Sequence, residues 1–250
     1  MCALCATIGH TIGAPDNEVM SNMTAYLPRT RIKFCGITRA EDIALAVRLG
    51  VDAVGLVFYA KSPRAVTMEQ AAALTRQLPP FVTTVGLFVN ADEDTVKRAA
   101  TAAHLSLLQF HGDESPEQCA ALGRAAHLPW MKAIRIGSAT TPADLLKYAS
   151  SYAAGAGLVL DALVDGYGGG GHSFDWSCIP KELGYQVVLG GGLDARNVGD
   201  AVRQVRPYAV DVSSGTEALG LAQVKGIKDP DRMQAFVREV RAADVSNGLQ

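Results

Sequence analysis

What this chain lacks narrows its class before any motif is read. It has only five cysteines, at positions 2, 5, 35, 119 and 178. An odd, scattered set does not make a disulfide framework and points to a reducing, cytoplasmic compartment. No apolar run approaches the ~18 residues of a membrane span. The opening residues have neither the charged n-region nor the apolar h-region of a secretory signal. A formal net charge of −2 leaves no basic footprint for nucleic acid. Cys2 and Cys5 form a C-x-x-C, yet only His10 lies nearby and no second ligand pair follows, so no zinc site is expected. A redox C-x-x-C would need a strand before it and a helix after it, and neither is visible. Residues 1–28 therefore read as a poorly ordered N-terminal extension, with Met20 and Met23 as alternative starts.

Apolar material is plentiful, at 48% of the residues, enough for a sizeable core. From residue 31 onward, short β-rich runs alternate with alanine-rich amphipathic stretches. Strands are expected at 31–35, 53–58, 82–88, 106–110, 130–136, 157–161, 186–189 and 208–212. Helices are expected at 39–49, 67–78, 92–103, 115–126, 141–150, 175–180, 194–205 and 230–243. Thr67 and Gln70 have the spacing of a capping box, Asp92 and Ser115 suit N-caps, and Pro116 suits a first helical position. Gly50 and Gly123 suit helix ends. Such alternation gives a parallel sheet with right-handed crossovers, and eight units close into a (β/α)8 TIM barrel. A doubly wound open sheet would carry G-x-G-x-x-G after its first strand, where Gly36-Ile37-Thr38 stands instead. No composition break splits the alternation, so residues 29–246 read as one catalytic domain.

In such a barrel the chemistry stands at the C-terminal ends of the strands. Strand 1 ends at Cys35, with Lys33 on the same face two residues earlier. Strand 2 leads into Lys61 and Arg64, strand 3 into Asn90, and strand 4 into His111, Asp113 and Glu114. Strand 5 supplies Arg135 and strand 6 ends at Asp161. Strand 7 runs into Gly190–Gly192, before a helix that Asp194 would cap, and strand 8 into Ser213-Ser214-Gly215. Barrels of this class bind phosphate on the loops after strands 7 and 8. That makes Gly191, Gly192, Ser213, Ser214 and Gly215 phosphate-binding candidates. Each cluster alone also serves as a tight turn; their joint placement favours phosphate.

A cysteine at a strand end is by itself usually core. Asp161 is different, because no helix starts at once for it to cap. The Gly-rich segment after it suits a mobile lid. A thiol and a carboxyl on strands 1 and 6, above phosphate loops, suit proton transfer at two points of a small sugar phosphate. Lys33 and Asp211 share the inward parity on strands 1 and 8, which closure makes neighbours. A buried lysine needs a partner, so these two are expected to pair beneath the thiol.

The segments KFCGIT, DAVGLVFYAKSPR, VGLFVN, LLQFHGDE, LVLDALVDGYGGGGHSFDW, VVLGGGLDARNV, YAVDVSSGTE and KGIKDPDRM follow one another from residue 31 to about 240. In these segments and this order the chain resembles the phosphoribosylanthranilate isomerase family of tryptophan biosynthesis. The resemblance implies a cofactor-free Amadori rearrangement of N-(5-phosphoribosyl)anthranilate to 1-(2-carboxyphenylamino)-1-deoxyribulose 5-phosphate. It implies that Asp161 is the general acid at the furanose ring oxygen and Cys35 the general base at sugar C2. Arg64 matches the residue that binds the anthranilate carboxylate. His111 and Asp211 join Arg64 as substrate-binding candidates; His111 either orients the aromatic carboxylate or merely finishes its strand, with no role in proton transfer. As a base Cys35 needs a nearby cation, since a free thiol titrates near ~8.5. Asp161, as an acid, must start protonated.

No metal and no cofactor is implied. The expected partner is the phosphorylated sugar-anthranilate substrate, with the chain a monomer or homodimer. The chain departs from many relatives at Gly170, often Ser or Thr, at His172, commonly Lys, and in a longer segment at 219–229. Other readings stay open on the residues alone. A sugar-phosphate epimerase on this fold would call for His and Asp metal ligands at successive strand ends, where the five histidines do not cluster. Indole-glycerol-phosphate synthase would call for lysine and glutamate catalysts. A non-catalytic barrel that binds a phosphorylated metabolite would have no need of Cys35 with Asp161.

Overall fold

A computed structural model describes residues 29–163, 173–218 and 225–248. The N-terminal extension, the segment holding Gly170 and His172, and much of the long stretch after strand 8 lie outside the described residues. Eight parallel strands close in chain order: β1 (Arg31–Cys35), β2 (Ala53–Val57), β3 (Thr83–Phe88), β4 (Leu107–Phe110), β5 (Trp130–Ile136), β6 (Gly157–Ala162), β7 (Val187–Leu189) and β8 (Ala209–Val212). The last strand returns to the first in the register Lys33 opposite Asp211. Outside them lie α1 (Ala40–Arg48), α2 (Met68–Thr75), α3 (Glu93–Ala102), α4 (Pro116–Ala126), α5 (Pro142–Ser151), α6 (Val198–Val205) and α7 (Pro230–Ser246). No helix among the described residues is long and apolar enough to cross a membrane.

Strand parity divides the apolar residues into two cores. Outward side chains such as Ile32, Phe34, Leu56, Phe88, Leu108 and Phe110 are fully buried beneath the helices. Inward ones stack in layers. Val85, Met131, Ala133, Val159, Val188 and Ala209 fill the lower barrel. Cys35, Val57, Leu87 and Val89 form an apolar patch nearer the mouth. Lys33, Gln109 and Asp211 are inward too, so the barrel is plugged below and polar above.

The local signals fare unevenly. Thr67 with Gln70 and Ser115 with Gln118 form capping boxes, and Asp92 caps α3. The helix expected at 175–180 is instead a single 3₁₀ turn, Trp176–Cys178, followed by another at Lys181–Gln186. Asp175 does accept from the Ser177 amide, but Pro180 supplies no N–H and disfavours helical backbone at the residue before it. The helix expected from 194 begins only at Val198, so Asp194 does not cap it. Its carboxylate takes the Arg196 amide, while Asn197 Oδ1 accepts from the Asp194 amide, closing a turn ahead of the helix. Gly123 is not a helix end. It lies inside α4, where a Cβ would come within 2.4 Å of Trp130, and α4 closes at His127 in a left-handed conformation.

Candidate active site

A cleft opens at the C-terminal ends of the strands. Cys35, Tyr59, Arg64, Gln109, His111, Asp161, Gly191, Gly192, Asp211, Ser213 and Ser214 all line it. Cys35 and Asp161, from β1 and β6, thus face one space. The expected pairing below the thiol is present: Lys33 Nζ donates to Asp211 Oδ2 at 2.8 Å, with the lysine buried and the carboxylate nearly so. Gly55 makes room for this arrangement. A Cβ there would lie 2.8 Å from Cys35 Sγ and 3.2 Å from Lys33 Nζ.

Asp161 is held from two sides. Its Oδ1 accepts from the Ala162 amide at 2.9 Å, and its Oδ2 lies 3.2 Å from His111 Nε2, close but not aligned as a hydrogen bond. His111 therefore stands against the Asp161 carboxylate. The loop after β7 runs directly past. Gly191 has φ +78°, and a Cβ there would meet the Ala162 amide at 2.3 Å and Asp161 Oδ1 at 3.0 Å. Only glycine combines that left-handed backbone with that approach. Gly215 stands behind the cleft wall rather than in it. A Cβ there would lie 1.8 Å from the Leu193 carbonyl, so the loops after β7 and β8 are pressed together. The turn after β8 is a short 3₁₀ helix, Ser214–Thr216, and the Ser213 hydroxyl is buried without a partner among the described residues.

Comparison with known proteins agrees with this geometry. The family model for N-(5'-phosphoribosyl)anthranilate (PRA) isomerase matches residues 32–239. A protein of Ralstonia nicotianae with that name is 53% identical over 231 residues, covering 89% of this chain and 97% of its own. The crystal structure of phosphoribosyl anthranilate isomerase from Thermus thermophilus superposes with a TM-score of 0.73 at 33% identity, covering 85% of this chain and 99% of that one. A further structure of such an isomerase, in complex with reduced 1-(o-carboxyphenylamino)-1-deoxyribulose 5-phosphate, gives 0.68 at 34% identity over the same shares. The chain belongs to the phosphoribosylanthranilate isomerase family. It is an isomerase of tryptophan biosynthesis.

Electrostatics separates the members of this isomerase site. Burial alone would lower the Lys33 ammonium, but Asp211 and the adjacent thiol more than offset it and hold it above the ordinary lysine value. Burial pushes the Cys35 thiol up; the Lys33 cation pulls it down and Asp211 pushes it up again, leaving it above the usual cysteine value. The cation that the sequence called for is present, yet desolvation outweighs it.

Three residues escaped the sequence reading. Gln109 is fully buried on β4, lines the cleft, and neither end of its amide has a partner among the described residues. Its inward parity was readable, but its isolation was not. Glu217 and Lys228 are buried charges at the base of the loop after β8, joined across an antiparallel bridge. Both stand in segments quoted for the family resemblance, and nothing local marks them as buried.

Proposed function

We propose that residues 29–246 form the catalytic domain and carry out the cofactor-free Amadori rearrangement of N-(5-phosphoribosyl)anthranilate. The Asp161 carboxyl donates its proton to the furanose ring oxygen as the C1–O bond breaks, leaving a protonated Schiff base at C1. The Cys35 thiolate then takes the C2 proton, and the C–H electron pair forms the C1–C2 double bond and neutralises the iminium nitrogen. The resulting enolamine tautomerises to the ketone. The cationic Schiff base forms where the thiol must ionise, and a neighbouring positive charge favours the thiolate. That charge, together with Lys33, works against the burial that raises the Cys35 thiol.

The loops bearing Gly191, Gly192, Ser213, Ser214 and Gly215 take the substrate phosphate, and Arg64 takes the anthranilate carboxylate. Asp211 Oδ1, buried without a partner beside the cleft, accepts a sugar hydroxyl. His111 keeps its place among the substrate-binding residues, on the Asp161 side. The observation that carries this reading is the meeting of Cys35, Asp161, Arg64 and both glycine-serine loops around one cleft. The solved isomerase that holds a reduced, phosphorylated product analogue supports a substrate of that chemistry. The chain works as a monomer or homodimer, to be weighed by sedimentation.

The test supplies phosphoribosylanthranilate and follows the loss of its fluorescence. Cys35→Ser and Asp161→Asn should each lower kcat by about 10²–10⁴-fold, the usual weight of general acid–base catalysis. No turnover by the wild type, or full activity in both variants, overturns the mechanism.

A further inference from the structure

Arg64 lines the cleft with its side chain almost wholly enclosed, and most of its guanidinium is already engaged. Nε donates to Glu217 Oε1 at 2.6 Å and Nη2 to Glu217 Oε2 at 2.9 Å, a side-on bidentate pair. Nη1 makes no hydrogen bond within the described residues and is not among the sealed, unsatisfied atoms. The pairing therefore fixes the plane of the guanidinium and leaves one end over for an incoming anion.

Glu217 is itself pinned. Its Oε1 also accepts from the Gly226 amide at 3.0 Å, and Lys228 Nζ lies 3.7 Å away. Lys228 is fully buried and donates to the Ser213 carbonyl at 2.8 Å. Thr38, beyond β1, holds the Gly226 carbonyl at 2.6 Å. Gly36, with φ +70°, admits the Arg64 stem: a Cβ there would lie 2.5 Å from Arg64 Cδ. Loops after β1, β2 and β8 thus converge on one carboxylate. The cluster holds two cations against one anion, since Asp42, which accepts from the Lys228 amide, is matched by Arg39. A buried excess of positive charge at a cleft calls for an anion from outside.

We propose that Glu217 is a positioning residue that aims Arg64 at the substrate's aromatic carboxylate, and that Lys228 couples this carboxylate clamp to the phosphate loop through the Ser213 carbonyl. The proposal rests on the reading of Arg64 given above. It extends the substrate-recognition machinery to two residues that need not touch the substrate.

Calorimetry on the full chain tests it with two probes: reduced 1-(o-carboxyphenylamino)-1-deoxyribulose 5-phosphate and the same compound without its carboxyl group. Arg64→Met should weaken the carboxylated probe roughly 30-fold and the other by less than about threefold, as loss of a charge-assisted pair predicts. Glu217→Gln should weaken the carboxylated probe about tenfold, leave the other within about twofold, and add little in an Arg64→Met background. Glu217→Asp, which keeps the charge, should fall between wild type and Glu217→Gln and stands in if the latter does not fold. Lys228→Met should weaken both probes, and inorganic phosphate, to a similar degree. If Arg64→Met does not separate the two probes, the carboxylate role of Arg64 itself fails. If it does, while neither Glu217 variant discriminates between them, the positioning role is overturned. Unchanged phosphate binding in Lys228→Met overturns the coupling.

Discussion

Two buried lysines sit on barrel strands, each with a carboxylate partner, and they do different things. Lys132 on β5 points outward and donates to Glu114 Oε2 and to the Gly112 carbonyl, both at 2.8 Å. Glu114 also accepts from the Asn90 amide at 2.7 Å and the Gly112 amide at 2.9 Å. Among the described residues both its carboxylate oxygens are thus engaged, and the network ties the turns after β3 and β4. Lys33 on β1 points inward and makes the same 2.8 Å contact with Asp211, yet among the described residues Asp211 Oδ1 is left without a partner beside the cleft. A satisfied buried network fixes backbone; an unfinished one at a cavity is available to a ligand. The two pairs match in distance and differ most in what else their oxygens serve.

Lys132→Met should be the most damaging single change to this contrast. It strands Glu114 in the interior and should cost about 3–5 kcal/mol in urea denaturation. Adding Glu114→Leu should not restore stability, because the Asn90 and Gly112 amides then lose their acceptor. A double variant as stable as wild type would show that the outer pair is not a backbone tie.

Lys228 is a third buried lysine and sharpens the comparison through pH. Burial outweighs Glu217 and Cys35 and pulls its ammonium down to about 8 from the ordinary 10.5. A depressed value means that stability from this group is full above the unfolded value and is lost as pH falls through about 8. Wild type should therefore gain on Lys228→Met by on the order of 3 kcal/mol between pH 7 and pH 10.5, measured by chemical denaturation. A flat difference across that window would place the ammonium in contact with water.

Lys33→Met should cost about 3 kcal/mol, but here a second change should help. With Asp211→Leu added, stability should return to within about 1 kcal/mol, because that carboxylate supports no backbone amide among the described residues. The single variant should also move catalysis. The cation pulls the Cys35 thiol down, so its removal should shift the thiolate limb of kcat/KM to higher pH. The Lys132 variant should leave that limb in place. Coincident profiles for the two would erase the distinction between the pairs.

Gly55→Ala is the smallest change in atoms and in stability, about 1–2 kcal/mol of overpacking. Its Cβ would press on both Cys35 Sγ and Lys33 Nζ, so kcat should fall while KM holds. The matching Gly123→Ala, against Trp130, should lower thermal stability and leave kcat unchanged.

Much of this was legible in the chain itself. Strand parity is a local, two-residue period, so Lys33, Cys35 and Asp211 could be assigned to the interior without coordinates. Closure of eight units makes strands 1 and 8 neighbours, which turned two parities into the Lys33–Asp211 contact. The glycines after strands 7 and 8 and the caps of α2, α3 and α4 were likewise local. The helix expected at 175–180 gave way to 3₁₀ turns because Pro180 supplies no N–H and disfavours helical backbone at the residue before it.

The rest belonged to tertiary structure alone. Arg64 and Glu217 are 153 residues apart, and Glu114 and Lys132 are joined across the outside of the barrel. No periodicity in either segment records which loop will lean on which. His111 could be placed at a strand end, but not against Asp161. Gln109 could be pointed inward, but not shown to lack partners. The sequence by itself determined the strands, their faces and the glycine- and serine-bearing turns that follow strands 7 and 8, because those follow from steric rules within a few residues. Which buried charges are completed by the fold and which are left open to a substrate was decided only when distant loops met, since satisfaction is a property of all the neighbours at once.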